Sequence, residues 1–357
     1  MKSTHKKILK PILISFICIV ICVPLVMMPT ATVIIYESIF GVRYDPASWN
    51  SSVEDFDGLL LEKTQITATD EKSLAAFKYS NVSVTPKGVI ILAHGLGGGG
   101  HTPYLSLIDA FTKGGYYVFT YDATANGETD GGSVEGFPQG IIDLEHAIKH
   151  VMQAPEYQDL PIVLFGHSWG AYSTASVLAL CPEIDAAIVV AGFNESEDLI
   201  LYQGEQYAGG VASLTAPYVT LYEQLKFTKK YADLSATESM AVTNAGIMIV
   251  HSTDDATVPA EYGYDTFYAE FANDERFEFV RFEDRGHSNM FYSDAAREYR
   301  RELEADYAEY VESNGLKTND ETKAEFMSAN INKSLYFELD GNLTAQMLAF
   351  YDKYCIK

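Results

Sequence analysis

Four cysteines in 357 residues are too few to frame a fold with disulfides. Cys18 and Cys22 sit inside an apolar run, where cysteine behaves as a small hydrophobe. Cys181 and Cys355 have no metal-ligand spacing, and one bridge between them is the most that pair could form. Positive charge is also short. Lysine and arginine total 25 against 49 aspartates and glutamates, a formal net charge of −24. A nucleic-acid partner needs a basic patch to neutralise phosphates, so that class is excluded. The acidic residues are scattered rather than blocked, which reads as a solvated surface. No grouping of His, Asp, Glu and Cys has the spacing of a metal site, and the sequence predicts neither metal nor cofactor.

The one long hydrophobic run is at the N-terminus. Lys2, Lys6, Lys7 and Lys10 make a basic segment over 1–10, and an uncharged stretch follows over 11–36. Its core, Ile12 to Met28, is nearly all apolar. A secretory signal core is about 7–15 residues long and ends at a small-x-small site. This run is longer, and Pro29-Thr30-Ala31-Thr32-Val33 offers no clean site of that kind. About 20 apolar residues span a bilayer. The sequence therefore predicts a single-pass transmembrane signal anchor over 11–36 in the cell membrane. The positive-inside bias leaves the rest of the chain outside the cytoplasm. The alternatives are a cleaved signal peptide with a secreted product and a soluble buried helix, which Pro24 and Pro29 would disrupt. A connector without clear period occupies 37–58.

From Leu59 onward the pattern alternates between short apolar runs and helical periods. Leu59–Ala68 and Leu74–Tyr79 read as a strand pair around a polar turn. Gly88–Ala93, Tyr116–Tyr121, Pro161–Phe165, Ala186–Val190, Ile247–Val250 and Phe277–Phe282 read as further strands. Tyr104–Phe111, Gly140–Met152, Glu261–Phe271 and Asn342–Tyr354 have helical spacing between or after them. Fully apolar strands alternating with helices imply an α/β fold, a mostly parallel sheet with helices on both faces.

Chemistry collects where strands end. Pro161–Phe165 runs into Gly166-His167-Ser168-Trp169-Gly170, and a helical stretch follows. A serine in a sharp strand-to-helix turn is held out above the sheet edge, and only small residues two before and two after it avoid a clash. Gly88–Ala93 runs into His94-Gly95-Leu96-Gly97-Gly98-Gly99-Gly100. That run lacks the Lys-Ser/Thr of a phosphate loop and the spacing of a dinucleotide fingerprint. It suits a close backbone approach to a substrate oxygen. Ile247–Val250 empties into a loop holding Asp254 and Asp255, and the strand Phe277–Phe282 is followed by Gly286-His287.

The order Ser168, Asp255, His287 after successive strands resembles the α/β-hydrolases. The resemblance runs from about Leu59 to the C-terminus and is nearest the branch of serine aminopeptidases and monoglyceride lipases. It implies Ser168 as nucleophile, His287 as base and Asp255 as the acid that orients the base. Asp254 competes for the last role, and the Val258-Pro259 register favours Asp255. The resemblance also implies an oxyanion hole from the backbone N–H groups of Leu96 and Trp169. The loop after the strand ending at Tyr121 departs from the family pattern, with Thr124 and Ala125 in place of Arg and Gly. Of the remaining histidines, His94 reads as a shaper of the glycine loop, His167 as packed and His251 as structural. His101, His146 and His150 read as loop or helix-surface residues.

Two stretches fit the family less well. Residues 194–243 are too long for a simple connection and carry Tyr202, Tyr207, Tyr218, Tyr222 and Tyr231. They predict a helical cap over the strand ends, or an aromatic packing insert. Residues 292–334 predict an extra helical segment, a second lid or an outer decoration. Together with 59–357 as one hydrolase domain, these features imply a membrane-anchored serine hydrolase. It would cleave an ester or amide of a small molecule or short peptide through an acyl-enzyme. A serine aminopeptidase, an acyltransferase on the same three residues and an idle binding protein are the other readings. The aromatic insert, the anchor and the net charge favour an uncharged medium-chain acyl or monoacylglycerol-like ester over a charged peptide.

Overall fold

The computed structural model describes residues 23–67 and 73–355. Its strands are β1 (Leu59–Thr67), β2 (Ser73–Asn81), β3 (Val89–Ala93), β4 (Tyr117–Tyr121), β5 (Ile162–His167), β6 (Ala186–Val190), β7 (Gly246–Ser252) and β8 (Phe277–Phe282). They form one sheet in the order β1-β2-β4-β3-β5-β6-β7-β8. The β1–β2 and β2–β4 pairs are antiparallel, and every pair from β4 to β8 is parallel.

Both faces of β3 to β7 are buried, which is why these strands read as nearly unbroken apolar runs. Ile91, Ala187, Val189, Ile247 and Ile249 point into one core, and Ile90, Leu92, Ile188, Met248 and Val250 into the other. The long helix Phe137–Gln153 covers the first face with Ile141, Leu144, Ile148 and Val151. The helices Leu105–Lys113 and Gly341–Cys355 cover the second, through Leu107, Ile108 and Phe111 and through Met347, Phe350 and Tyr351. Cys181 and Cys355 are both free thiols.

The expected anchor over 11–36 divides in the structure. Residues 11–22 lie outside the described residues. Met28–Phe40 is a helix, here α1, that docks on the domain: Thr32, Tyr36 and Phe40, four apart, are buried. Ile34 and Ile35 on its other side are 63% and 52% exposed. Among the described residues no helix is long and apolar enough to cross a membrane. The absence of charge over 28–36 had suggested lipid, but the spacing of Thr32, Tyr36 and Phe40 marks a protein-facing stripe. The connector expected over 37–58 accordingly begins inside α1.

The insert over 194–243 is helical, as expected of a cap, and includes Ser196–Ala208, Ala216–Phe227 and Ala236–Val242. Its tyrosines hold neighbours. Tyr222 donates to Glu37 on α1, Tyr231 to Glu145, and Tyr202 to the carbonyl of Ala256 beside the acid loop. Glu223, 2% exposed, accepts from Tyr36 at 2.8 Å and from Ser196 at 2.7 Å, tying α1 to the cap. The extra segment over 292–334 folds into Asp294–Ser313, Asp320–Asn330 and the start of Lys333–Tyr336. It has a small core of its own in Leu303, Tyr307, Phe326, Met327 and Tyr336.

Candidate active site

The site lies at the C-terminal edge of β5, between β3 and β6. Ser168 has φ 57° and ψ −117°, a strained backbone that a non-glycine residue holds only when its surroundings enforce it. The enforcement is visible at the two flanking glycines. A Cβ on Gly166 would come within 2.2 Å of the Gly170 carbonyl oxygen, and one on Gly170 within 2.1 Å of the Ala93 oxygen. The helix Trp169–Val177 can therefore press against the end of β3, and the serine is turned outward.

The three residues expected from separate strand ends meet there. Ser168 Oγ lies 2.8 Å from His287 Nε2, and His287 Nδ1 lies 2.7 Å from Asp255 Oδ2. The other Asp255 oxygen accepts from the N–H groups of Thr257 and Val258, both at 2.9 Å. Burial alone would raise the Asp255 carboxyl. The hydrogen bond and charge of His287 and the Val258 N–H outweigh it and hold the carboxyl below its usual range. Asp254 turns elsewhere: its Oδ1 accepts from Ser252 Oγ at 2.5 Å and from the Gly286 N–H at 2.8 Å. It braces the loop that carries His287 without touching the imidazole.

The glycine loop supplies the facing wall. Leu96 and Ser168 line one cavity of about 370 Å³. The Leu96 N–H donates to no group among the described residues. Trp169 is the first residue of its helix, where an N–H has no acceptor within the helix. His94 shapes the loop: Nδ1 donates to the Gly95 carbonyl at 2.8 Å and Nε2 accepts from the Ala123 N–H at 2.9 Å.

His167 is packed, as the sequence suggested, and it is also a connector. The Gly95 N–H donates to Tyr104 Oη at 3.0 Å, and that hydroxyl donates to His167 Nδ1 at 2.8 Å. His167 Nε2 donates onward to the His287 carbonyl at 3.1 Å. The glycine loop and His287 are thus joined through two side chains, Tyr104 and His167. Burial, then the adjacent His287 ring, pushes the His167 imidazole down to about 3, so it stays neutral. His251 is buried against the acid loop and donates to the Val258 carbonyl at 2.9 Å.

His101 corrects the surface reading given to it. It is 4% exposed, and its Nδ1 lies 2.7 Å from Asp122 and its Nε2 2.8 Å from Tyr79 Oη. Asp122 also accepts from the N–H groups of His101 and Glu128, so it staples the glycine loop to the loop beyond β4. The substituted Thr124 in that loop bonds Asp143 with both its N–H and its hydroxyl.

The eight-stranded order, the turned-out serine and the Ser–His–Asp line at three strand ends decide the fold. The chain has the α/β-hydrolase fold. A sequence profile for the family described as serine aminopeptidase, S33, matches residues 84–244. Caffeoylshikimate esterase of Arabidopsis thaliana is 31% identical over 93 residues, covering 25% of this chain and 27% of that protein. Protein ABHD12B of Homo sapiens is 26% identical over 195 residues, 50% of this chain and 49% of that one. The chain thus spans at most about half the length of those relatives. Among solved structures, the Pyrococcus furiosus esterase Pf2001 superposes with a TM-score of 0.54. Its identity is 17%, over 76% of this chain and 97% of that one, a likeness of fold.

One wall of the cavity comes from the segment that the sequence left open between a second lid and an outer decoration. Besides the glycine loop it is lined by Leu107, Phe291, Tyr292, Arg300 and Leu339. Among the described side chains none from the 194–243 insert lines it, whereas Tyr292 and Arg300 come from the extra segment. Among the described residues no cluster of His, Cys, Asp and Glu could hold a metal.

Proposed function

We propose that the chain is a serine hydrolase that cleaves a carboxylic ester or amide through an acyl-enzyme. The observation that carries this reading is the continuous hydrogen-bond line from Ser168 Oγ through His287 to Asp255. His287 Nε2 takes the Ser168 proton as Oγ attacks the carbonyl carbon, and the N–H groups of Leu96 and Trp169 hold the resulting oxyanion. Each such donor contributes about 3 kcal/mol to the transition state. Collapse expels the alcohol or amine, which takes its proton from His287. Water then attacks the acyl-enzyme, gives a proton to His287, and releases the acid as that proton returns to Ser168. Asp255 keeps the imidazole in the tautomer this sequence of steps needs. No step calls for a cofactor.

Leu107, Phe291 and Leu339 give the cavity an apolar stretch suited to part of the acyl chain or of the alcohol. The match to a caffeoylshikimate esterase supports esters as the first substrates to try. Ser168→Ala removes the nucleophile without adding bulk. Labelling by a fluorophosphonate and ester turnover should both fall by orders of magnitude while the circular dichroism spectrum is kept. Labelling and turnover that survive the substitution would refute the assignment.

A membrane location of the extracytoplasmic kind is part of the same proposal. It rests on the lysines of 1–10 and the apolar run that follows them. It is supported by the exposed Leu25, Val26 and Met27 ahead of α1 and by Leu221 and Leu225 on the cap helix beside it. The anchor then ends before residue 28, and α1 is the stalk that joins it to the domain.

A further inference from the structure

Arginine is rare in this chain, and six of its seven copies pair with a carboxylate: Arg43, Arg276, Arg281, Arg285, Arg297 and Arg301. Arg300 makes no ion pair among the described residues, although the chain holds 49 acidic side chains. The cations that share this condition among the described residues, Lys229 and Lys317, are exposed, whereas Arg300 is half-buried and lines the cavity that holds Ser168. Glu304, one helical turn on, is taken by Lys323 at 2.7 Å.

The guanidinium is also held in place. Its carbon lies 3.9 Å from the centre of the Tyr336 ring and 4.3 Å from that of Tyr292, and Nη1 donates to the Tyr336 carbonyl at 3.2 Å. Rings on two sides fix the plane of the fork and shield it from water, and most of its five N–H donors remain for a ligand. No carboxylate lines the cavity among the described residues. A fixed, unpaired arginine in a wall free of carboxylates is a receptor for a planar or tetrahedral anion.

We propose that Arg300 binds an anionic group, carboxylate or phosphate, carried by the substrate at the end away from the scissile bond. The substrate is then an ester or amide with an apolar span, which Leu107, Phe291 and Leu339 contact, and an acid terminus. This gives the 292–334 segment a role in specificity and replaces the expectation of an uncharged acyl group. A substrate amine at that end is disfavoured by the same guanidinium. The −24 chain repels anions at long range, so a preference for them would be the work of a local receptor.

The proposal rests on the serine-hydrolase reading, and the test separates the two. The full-length chain is assayed on 4-nitrophenyl esters of medium-chain dicarboxylic acids with a free terminal carboxylate and on their methyl-capped, uncharged counterparts. A second pair places the charge on the alcohol part, and a third carries a terminal phosphate. In at least one pair kcat/KM should favour the anion by about tenfold or more, the scale of one charged hydrogen-bond partner. Which pair responds identifies the anion and the side of the scissile bond it occupies. Arg300→Gln should bring that ratio toward one, and Arg300→Lys should restore part of it. A flat or inverted ratio in all three pairs overturns the proposal, and so does a ratio that Arg300→Gln leaves alone. The wild-type ratio decides even if a variant fails to fold. If the neutral esters turn over and Ser168 takes a fluorophosphonate while the ratio is flat, only the anion receptor falls. If neither occurs, the hydrolase reading falls with it.

Discussion

Glu223→Gln should stabilise the docking of α1 at neutral pH and leave it unchanged in mild acid. Glu223 is buried between α1 and the cap, and burial first of all pushes its carboxyl up to about 7 from an ordinary 4.5. The hydrogen bonds from Ser196 and Tyr36 and the charge of Lys226 lower it, without cancelling burial. A carboxyl whose folded value is raised stabilises the fold fully below its unfolded value and loses that contribution as pH rises through the folded one. The shift of about 2.5 units corresponds to roughly 3 kcal/mol, lost between pH 4.5 and a little above 7. Glutamine keeps the acceptor for Tyr36 and Ser196 and never ionises. Other buried groups also titrate in this window. His94 and His251 are held below their usual values by burial, so total stability against pH mixes several contributions. The difference between variant and wild type isolates one. Hydrogen exchange of peptides covering 28–40 and 216–227, in detergent at pH 4 and pH 8, should show nearly equal protection at the lower value. At the higher one the variant should gain protection by up to about 3 kcal/mol. A difference that does not change with pH, or wild type better protected at pH 8, would refute the reasoning.

Asp255→Asn should lower kcat by about 10⁴-fold, because the imidazole loses the partner that fixes its tautomer. Asp254→Asn should cost far less, since that carboxylate meets Ser252 and the Gly286 N–H rather than the ring; the opposite ranking in steady-state kinetics would exchange their roles. The full-length chain should stay with membranes through an alkaline carbonate wash. Mature protein in the medium, with a new N-terminus just after the apolar run, would rule the anchor out.

Much of the sheet was legible because its signals are local. Each of β3 to β7 is a short apolar run, and the residues that matter sit within a few positions of where those runs stop. The Ser168 turn could be read from its glycines alone, because backbone oxygens 2.1–2.2 Å from a would-be Cβ leave no other residue type. What the chain order hides is which way a long insertion folds back. Residues 194–243 carry the aromatic side chains that suggest a substrate wall, yet Tyr202, Tyr222 and Tyr231 are spent on the acid loop, α1 and Glu145. The cavity wall comes instead from a highly charged helical segment, which the sequence left open between a second lid and an outer decoration. Arg297, Arg301, Glu302 and Glu304 surround Arg300 in sequence, and nothing in that run distinguishes the guanidinium that lines the cavity. His101 was misread for a similar reason: a histidine after four glycines looks exposed until Asp122 and Tyr79 are seen on its two nitrogens.

The bonds around His167 permit a single placement of protons. The Tyr104 hydroxyl has one proton, which goes to His167 Nδ1, so its oxygen must receive the Gly95 N–H. The neutral imidazole has one proton, which goes to the His287 carbonyl. Reversing any link would set two donors or two lone pairs face to face in a largely buried network. The chain therefore has no second arrangement to populate and little to reorganise when charge builds at the serine. It is also a dead end for protons, since passing one would make His167 an imidazolium, which its surroundings oppose until about pH 3. In the proposed mechanism, the proton that His287 takes from Ser168 then has two exits, the leaving group and the serine, and the architecture behind His287 offers it no third.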